Sequence, residues 1–359
     1  MERLRGLILS GGKGTRLRPI THTSAKQLVP VANKPILFYG LEQLVDAGIK
    51  EIGIVVGDTA PEIRDAVGDG SRWGATVTYI PQEAPLGLAH CVLIARDFLG
   101  DDDFVMYLGD NLLEEGVRRF VDEFEADRGS ACAQILLAPV PDPHRFGVAE
   151  VSPDGEVVRL IEKPADPPSN LALVGVYLFD ATIHAAVRAL KPSARGELEI
   201  TEAIQWLIDQ GHAVRHQILE GWWIDTGKLT PLLEANRLIL EALDQSIEGT
   251  VDADSKIEGR VVVAAGAEIV RSTVRGPAII GEGTRVVDSF VGPFTSISAG
   301  CEIVASEVEH TVVLERSRLL HAGRIIDSLI GKDVEVVRSG DKPRATRLML
   351  GDHSRVDIT

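Results

Sequence analysis

The last third of the chain repeats every 17 residues, and that period restricts the fold more than any other feature. Ile257, Val274, Val291, Val308 and Ile325 follow one another at this interval. Two further registers keep it: Val263, Ile280, Ile297 and Leu314, and Ile269, Val286, Ile303 and Leu320. Within one repeat the spacings are 6, 6 and 5. Three inward aliphatics per repeat, each about one short strand apart, predict a triangular β-helix whose coils stack on one another. An open sandwich would not keep this register. Continued onward, the registers reach Val337 but also Gly331, where an aliphatic is expected.

This pattern resembles the hexapeptide left-handed β-helix with one residue missing per coil. The first 240 residues differ in kind. Short Val/Ile-rich runs such as "GLILS", "EIGIVVG", "DFVMYLGD" and "LVGVYLFD" alternate with amphipathic stretches such as "ILFYGLEQLVDAGI" and "LAHCVLIARDFL". Such alternation predicts an α/β, doubly wound, Rossmann-like sheet with helices on both faces, and ligands beyond the carboxyl ends of its strands. The expected organisation is a domain over 1–240, a linker helix over 228–244, the β-helix over 250–340 and a tail over 341–359.

Charge narrows the partners. The chain carries a net charge of −16, which argues against a nucleic-acid surface. Residues 1–35 reverse the balance, with Arg3, Arg5, Lys13, Arg16, Arg18, Lys26 and Lys34 against Glu2 alone. A small polyphosphate ligand fits that segment. No stretch approaches the ~20 apolar residues of a membrane span, and the start has no signal-peptide layout, so the cytoplasm is the expected location. Cys91, Cys132 and Cys301 are widely spaced and odd in number, which predicts buried thiols rather than disulfides or a zinc cluster.

The stretch "LILSGGKGTRLRP", residues 7–19, stands inside the basic segment. Glycines let backbone N–H groups approach an anion, and the N-terminus of a following helix would add its dipole. No Walker pattern is present. The stretch with its continuation, "GGKGTRLRPIT...SAKQLVPVANKP", resembles the signature of sugar-1-phosphate nucleotidylyltransferases. "IPQEAPLGLAH", "YLGDN", "DPHRFGVAEV", "LIEKPADPPSN", "LVGVYLFD", "RGELEITEAI" and "WWIDTG" follow in order. Together they resemble the glucose-1-phosphate thymidylyltransferase family in its long form, with a β-helical tail.

The resemblance implies a reaction in which a sugar 1-phosphate attacks the α-phosphorus of dTTP and pyrophosphate leaves in line. Positioning and charge stabilisation then do most of the work. It also implies roles. Gly11, Gly12, Gly14 and Thr15 surround the triphosphate, Arg16 grips the departing pyrophosphate, and Lys26 holds the nucleotide phosphates. Gln27, Gln82 and Gly87 read the base. Lys163 holds the sugar phosphate, and Asn111, Gly147, Glu162, Gly175 and Arg195 line the hexose. Asp110, at the nucleotide, and Asp225 bind Mg²⁺, a hard cation that takes one or two carboxylates plus phosphate oxygens. Arg18 reads as a structural or surface charge.

Other readings stay open. UTP or N-acetylglucosamine 1-phosphate is compatible with the same residue types. A non-catalytic sugar-nucleotide sensor would be expected to lose Arg16, Lys26, Asp110, Lys163 or Asp225, and all five are present. An acyltransferase activity in the β-helix would need a positioned base, with His310 and His321 the candidates. Assembly into a homo-oligomer is the role expected of the coil.

Overall fold

The computed structural model describes residues 4–12, 14–22, 24–338 and 348–357. Glu2, Arg3 and Lys13 of the basic segment therefore lie outside the described residues, as does part of the tail. The chain forms two compact units: Met1–Lys13 with Ile36–Ile224, and Gly14–Pro35 with Asp225–Thr359.

In the first unit, β1 (Arg5–Ser10), β2 (Glu51–Val56), β3 (Thr76–Pro81) and β4 (Phe104–Leu108) run parallel in the order β3-β2-β1-β4. The sheet is mixed beyond β4. There β8 (Leu171–Phe179) runs antiparallel to β4 and to β5 (Ala131–Pro139), with β9 (Ala213–Ile218) parallel to β5. A hairpin of β6 (Gly147–Val151) and β7 (Val157–Glu162) extends the sheet past β8.

The two-residue period of a strand explains why both faces are covered. Leu7 and Leu9 of β1 join a core with Phe104, Met106, Tyr177 and Phe179, closed by α2 (Leu88–Ile94) and α3 (Ile200–Asp209). From the other face Gly6 meets Leu44 of α1 (Ile36–Asp46), and Gly40 of α1 leaves room for the Tyr107 ring. The helical stretch after Gly87 is broken at Ala95 into Leu88–Ile94 and Arg96–Leu99.

In the second unit successive coils stack their strands into three parallel ladders, with Glu302–Glu309 and Arg318–Ile326 each running through two of them. The first register holds throughout: Ile257 pairs with Val274, then Val291, Val308 and Ile325. The other two slip by one residue. Ile297 is followed by Val313, and Ile303 by Leu319, in place of Leu314 and Leu320. One corner, between Val308 and Val312, is a residue shorter than its predecessors, and a register shift between Val304 and Ser306 restores the 17-residue step of the first register.

The slip settles the last coil. Ile330 and Val336 take the inward positions that unbroken counting gives to Gly331 and Val337. Gly331 instead abuts Ile20, whose Cδ1 would lie 3.1 Å from any Cβ placed there.

Segment 14–35 is fastened to this unit through α4 (Leu229–Glu241). A hairpin pairs Pro30–Val31 with Lys34–Pro35, and its turn residues Ala32 and Asn33 both have positive φ, as a type I′ turn requires. Buried Asn236 of α4 accepts from the Ala32 N–H (2.9 Å) and the Ser296 hydroxyl (2.7 Å), and donates to the Phe294 carbonyl (3.0 Å). Asn33 donates to the Ile297 carbonyl at 2.7 Å. Among the described residues no helix is long and apolar enough to cross a membrane.

Candidate functional site

The carboxyl ends of the parallel strands are crowded with glycine. Gly11 follows β1, Gly57 follows β2 and Gly109 follows β4. A Cβ at Gly57 would lie 2.9 Å from the Gly11 carbonyl, and one at Gly109 3.0 Å from that of Leu9. Gly12 is exposed beside them. Gln82, just past β3, is anchored by its N–H on the Val56 carbonyl at 2.8 Å. Its Oε1 faces Gly11, 3.0 Å from where a Cβ would stand. Gly87 has φ 103, and any side chain there would strike the Leu198 carbonyl.

Past β4, Asp110 and Asn111 are held by their neighbours. The Tyr107 hydroxyl donates to the Asn111 carbonyl (3.0 Å), and Asn111 Nδ2 donates to Asp110 Oδ1 (2.9 Å). Gly175, at φ 87, sits where the pairing of β8 with β5 shifts register. A Cβ there would meet Leu108 at 2.8 Å and Asn111 Nδ2 at 3.3 Å, so the bulge needs glycine. Trp223 was not singled out from sequence, although it lies in "WWIDTG". Its indole N–H donates to Asn111 Oδ1, and its ring packs 5.2 Å from Phe146.

At the β6–β7 hairpin Gly147 lies opposite Glu162. A Cβ on Gly147 would meet Thr201 Cγ2 at 2.6 Å and Glu162 Oε2 at 3.2 Å. Glu162 Oε1 is 3.1 Å from both Lys163 Nζ and Arg195 Nη1, and Thr201 Oγ1 donates to Oε2 at 3.4 Å. Arg195 also reaches Glu197 (3.0 Å) and Glu199 (3.7 Å). Burial, with Glu199 and Glu162 nearby, raises the Glu202 pKa. Two cations are thus pre-placed around one carboxylate beside a floor without side chains. Glu199 and Thr201, in the quoted "RGELEITEAI", complete a cluster that the sequence reading reached only through Arg195.

The second unit carries the remaining predicted residues. Gly14, at φ 61, packs against Lys26 and Thr21, and the Thr21 hydroxyl donates to its carbonyl at 2.6 Å. No α-helix follows the glycines. Thr15–Leu17 is a single 3₁₀ turn, so the macrodipole expected from sequence is replaced by exposed Thr15 and Arg16. Arg16 Nη2 lies 2.8 Å from where Gly227 would carry a Cβ, and Asp225 Oδ1 lies 2.9 Å from the same point. The Gly227 N–H donates to Asp225 Oδ1 at 2.9 Å, and buried Lys26 stands 3.9 Å from it. Arg16, Lys26 and Asp225 therefore gather at one turn.

Gln27 is also buried, and its Oε1 has no hydrogen-bond partner among the described residues. An orphaned buried oxygen of this kind is uncommon and fits a donor brought by a ligand. Arg18 is half-buried with its Nε unpartnered, so it is no freely solvated surface charge. In the β-helix, His310 Nδ1 lies 2.6 Å from Asp327 and its ring packs edge-on against Phe294, whereas His321 is exposed.

Among the described residues no three His, Cys, Asp or Glu side chains gather as a metal cage. Asp110 in the first unit and Asp225 in the second are each partly exposed carboxylates, oxygen donors of the hard type that Mg²⁺ takes. All three cysteines are free and buried, and burial pushes the Cys91 and Cys132 thiols up to about 12.

The parallel sheet with its glycine-floored edge lies within residues 5–242, which match the sequence profile of the nucleotidyl transferase family. The chain belongs to that family. It is 58% identical to the glucose-1-phosphate thymidylyltransferase of Streptomyces griseus over 356 residues, 99% of this chain and 100% of the relative. A protein of the same description from Streptomyces antibioticus is 56% identical over 99% of both chains. The crystal structure of a Bacillus anthracis protein described as a glucose-1-phosphate thymidylyltransferase, in complex with sucrose, superposes with a TM-score of 0.63. It is 35% identical, covering 68% of this chain and 97% of that one.

Proposed function

We propose that this protein transfers the thymidylyl group of dTTP to α-D-glucose 1-phosphate, releasing pyrophosphate and forming dTDP-glucose for deoxysugar synthesis. The observation that carries the reading is the meeting of Arg16, Lys26 and Asp225 at the Gly227 turn. Two cations and a carboxylate converging there suit a triphosphate that must be neutralised on both sides of the bond that breaks.

A phosphate oxygen of the sugar 1-phosphate attacks Pα. The bond from Pα to its bridging oxygen breaks, and that oxygen leaves on pyrophosphate. No general base is required, because the attacking oxygen is ionised at neutral pH. Arg16 binds the departing pyrophosphate through its planar fork, and Lys26 holds the phosphate that stays. Gly11, Gly12, Gly14 and Thr15 present backbone donors to the triphosphate. Gln82, Gly87 and Gln27 recognise the base.

Lys163 holds the sugar phosphate with Arg195, while Glu162 accepts from sugar hydroxyls. Asn111, Gly147 and Gly175 shape the space for the ring. Asp110 and Asp225 would hold Mg²⁺, which when bound would supply positive charge to offset that of the phosphates. Residues 1–240 would form the catalytic domain, with 250–340 serving assembly into a homo-oligomer. A cytoplasmic location accords with three free thiols.

Incubation of the protein with dTTP, glucose 1-phosphate and Mg²⁺ tests the reading. Pyrophosphate release is expected, and its absence from folded protein would refute it. A panel of five nucleotides against several sugar phosphates, N-acetylglucosamine 1-phosphate and UTP included, then sets the specificity.

A further inference from the structure

The side-chain amide of Gln82 is bonded on one side only. Its Nε2 lies 3.1 Å from His90 Nδ1, 3.2 Å from Cys91 Sγ and 3.4 Å from the Gly87 carbonyl. Among the described residues none of its side-chain hydrogen bonds uses Oε1, which faces the Gly11 backbone.

The neighbours determine which end of the amide points inward. The Gly87 carbonyl can only accept. The Cys91 thiol donates to that same carbonyl at 3.5 Å, which leaves the sulfur lone pairs to accept from Nε2. Burial pushes this thiol up to about 12, so it keeps its proton, and desolvation lowers the His90 pKa, favouring the neutral ring, which in its Nε2–H tautomer accepts at Nδ1. Three acceptors therefore face one NH₂ group. Turning the amide over would set Oε1 against the Gly87 oxygen. His90 and Cys91 reach Gln82 because they lie on the first turn of α2, whose side chains lean back toward Gly87 and the helix start.

We propose that His90 and Cys91 are positioning residues that lock Gln82 with its oxygen outward, so that the base site accepts a pyrimidine-2,4-dione and rejects cytosine. Thymine and uracil carry a donor at N3, which an outward Oε1 can accept. Cytosine carries a lone pair at N3 and would face that oxygen unpaired. This inference rests on the reading of Gln82 as a base-recognition residue, and it adds the cause of the discrimination. His90 and Cys91 need touch no substrate.

The test uses the full-length protein with dTTP, UTP and dCTP, by pyrophosphate release in the presence of glucose 1-phosphate and, separately, by calorimetric binding of each nucleotide alone. The wild-type protein is expected to favour dTTP and UTP over dCTP. His90→Asn, which can offer an amide oxygen in place of Nδ1, should keep the dTTP-to-dCTP ratio. His90→Lys replaces an acceptor with a donor, and His90→Leu combined with Cys91→Ala removes two acceptors. Each should lower the ratio by about tenfold, the scale of one hydrogen bond of ~1.4 kcal/mol. The loss should fall on KM for dTTP, with kcat nearly unchanged. An unchanged ratio in folded His90→Lys and in the double variant would overturn the proposal, as would a wild-type protein that binds dCTP as well as dTTP. Because binding is scored separately from turnover, a protein that discriminates bases but releases no pyrophosphate would refute the catalytic reading and leave this one standing.

Discussion

Lys26 and Asp225, far apart in the chain, stand 3.9 Å apart at the turn that also receives Arg16. Lys26 is almost fully buried, whereas the Asp225 side chain is 28% exposed. At that distance and exposure, solvent screening leaves the pair little to contribute to stability. Asp225→Asn is therefore expected to shift the thermal midpoint by no more than a few degrees. Pyrophosphate release should nevertheless fall about a hundredfold or more, the scale of losing one electrostatic group at the reacting phosphates. Differential scanning calorimetry beside a turnover assay checks both, and undiminished turnover would remove Asp225 from the site.

Asn236 ties the hairpin that follows Lys26 and Gln27 to the β-helix by three hydrogen bonds. Asn236→Leu keeps the volume and strands the buried Ala32 N–H and the Ser296 hydroxyl. A loss of about 3 kcal/mol is expected, from ~1–3 kcal/mol per unsatisfied buried group. Urea denaturation measures it. Turnover of the folded fraction should fall as well, since the hairpin sets the position of Lys26.

How far these features could be read in the sequence depends on whether a residue's neighbours share its chemistry. The first β-helix register was legible because Ile257, Val274 and Val308 each stand alone between polar or charged residues, which fixes the phase. The slip at Val313 and Leu319 was not, because Val313–Leu314 and Leu319–Leu320 are adjacent aliphatic pairs that satisfy either phase. The α/β alternation was legible from its periods, but the antiparallel direction of β8 was not, since pairing direction leaves no mark on a continuously apolar strand. Glycines at Gly87, Gly147 and Gly175 came through their motifs, while His90 is a lone polar residue on a short helix and nothing in the pattern around it points to Gln82. Asn236 was hidden for a similar reason, because one asparagine in an amphipathic helix looks like its solvent side.

The β-helix contains a serine ladder that predicts a local cost. Ser272, Ser289 and Ser306 each accept from a backbone N–H one coil onward, at 3.0–3.1 Å, and each donates to a carbonyl of the adjoining coil. Ser289→Ala leaves the Ser306 N–H without its partner. A destabilisation of about 1–3 kcal/mol follows, and Ser289→Thr should recover part of it if the methyl is accommodated. Chemical denaturation of the two variants provides the comparison.

Acid should weaken the first unit through His184. Burial is the main cause that lowers its pKa, with Arg96 and Arg188 adding to it, and its Nε2 has no partner among the described residues. Below about pH 6.5 the unfolded chain binds a proton that the folded His184 resists, so the unfolded state holds more protons and stability falls as pH falls. Urea midpoints measured from pH 7.5 down to pH 5 should decline. His184→Phe, whose ring can continue the stack on Phe104, should flatten that decline, and an unchanged slope would exclude His184 as its source.

Gly331 provides a test of packing against pattern. Unbroken counting of the repeat asks for an aliphatic there, yet Ile330 already fills the interior, and Ile20 Cδ1 would lie 3.1 Å from a Cβ on Gly331. Gly331→Val, which the repeat alone would call an improvement, is expected to cost about 1–3 kcal/mol by overpacking. Ile20→Ala vacates the contact, so the double variant should be more stable than the sum of the single changes predicts, by about 1 kcal/mol. Ile20 lies on the same short segment as Arg16, and the valine single variant should therefore also slow turnover. Denaturation midpoints of the four proteins in the cycle decide the matter: additive changes would show that Ile20 and Gly331 do not share that space in solution.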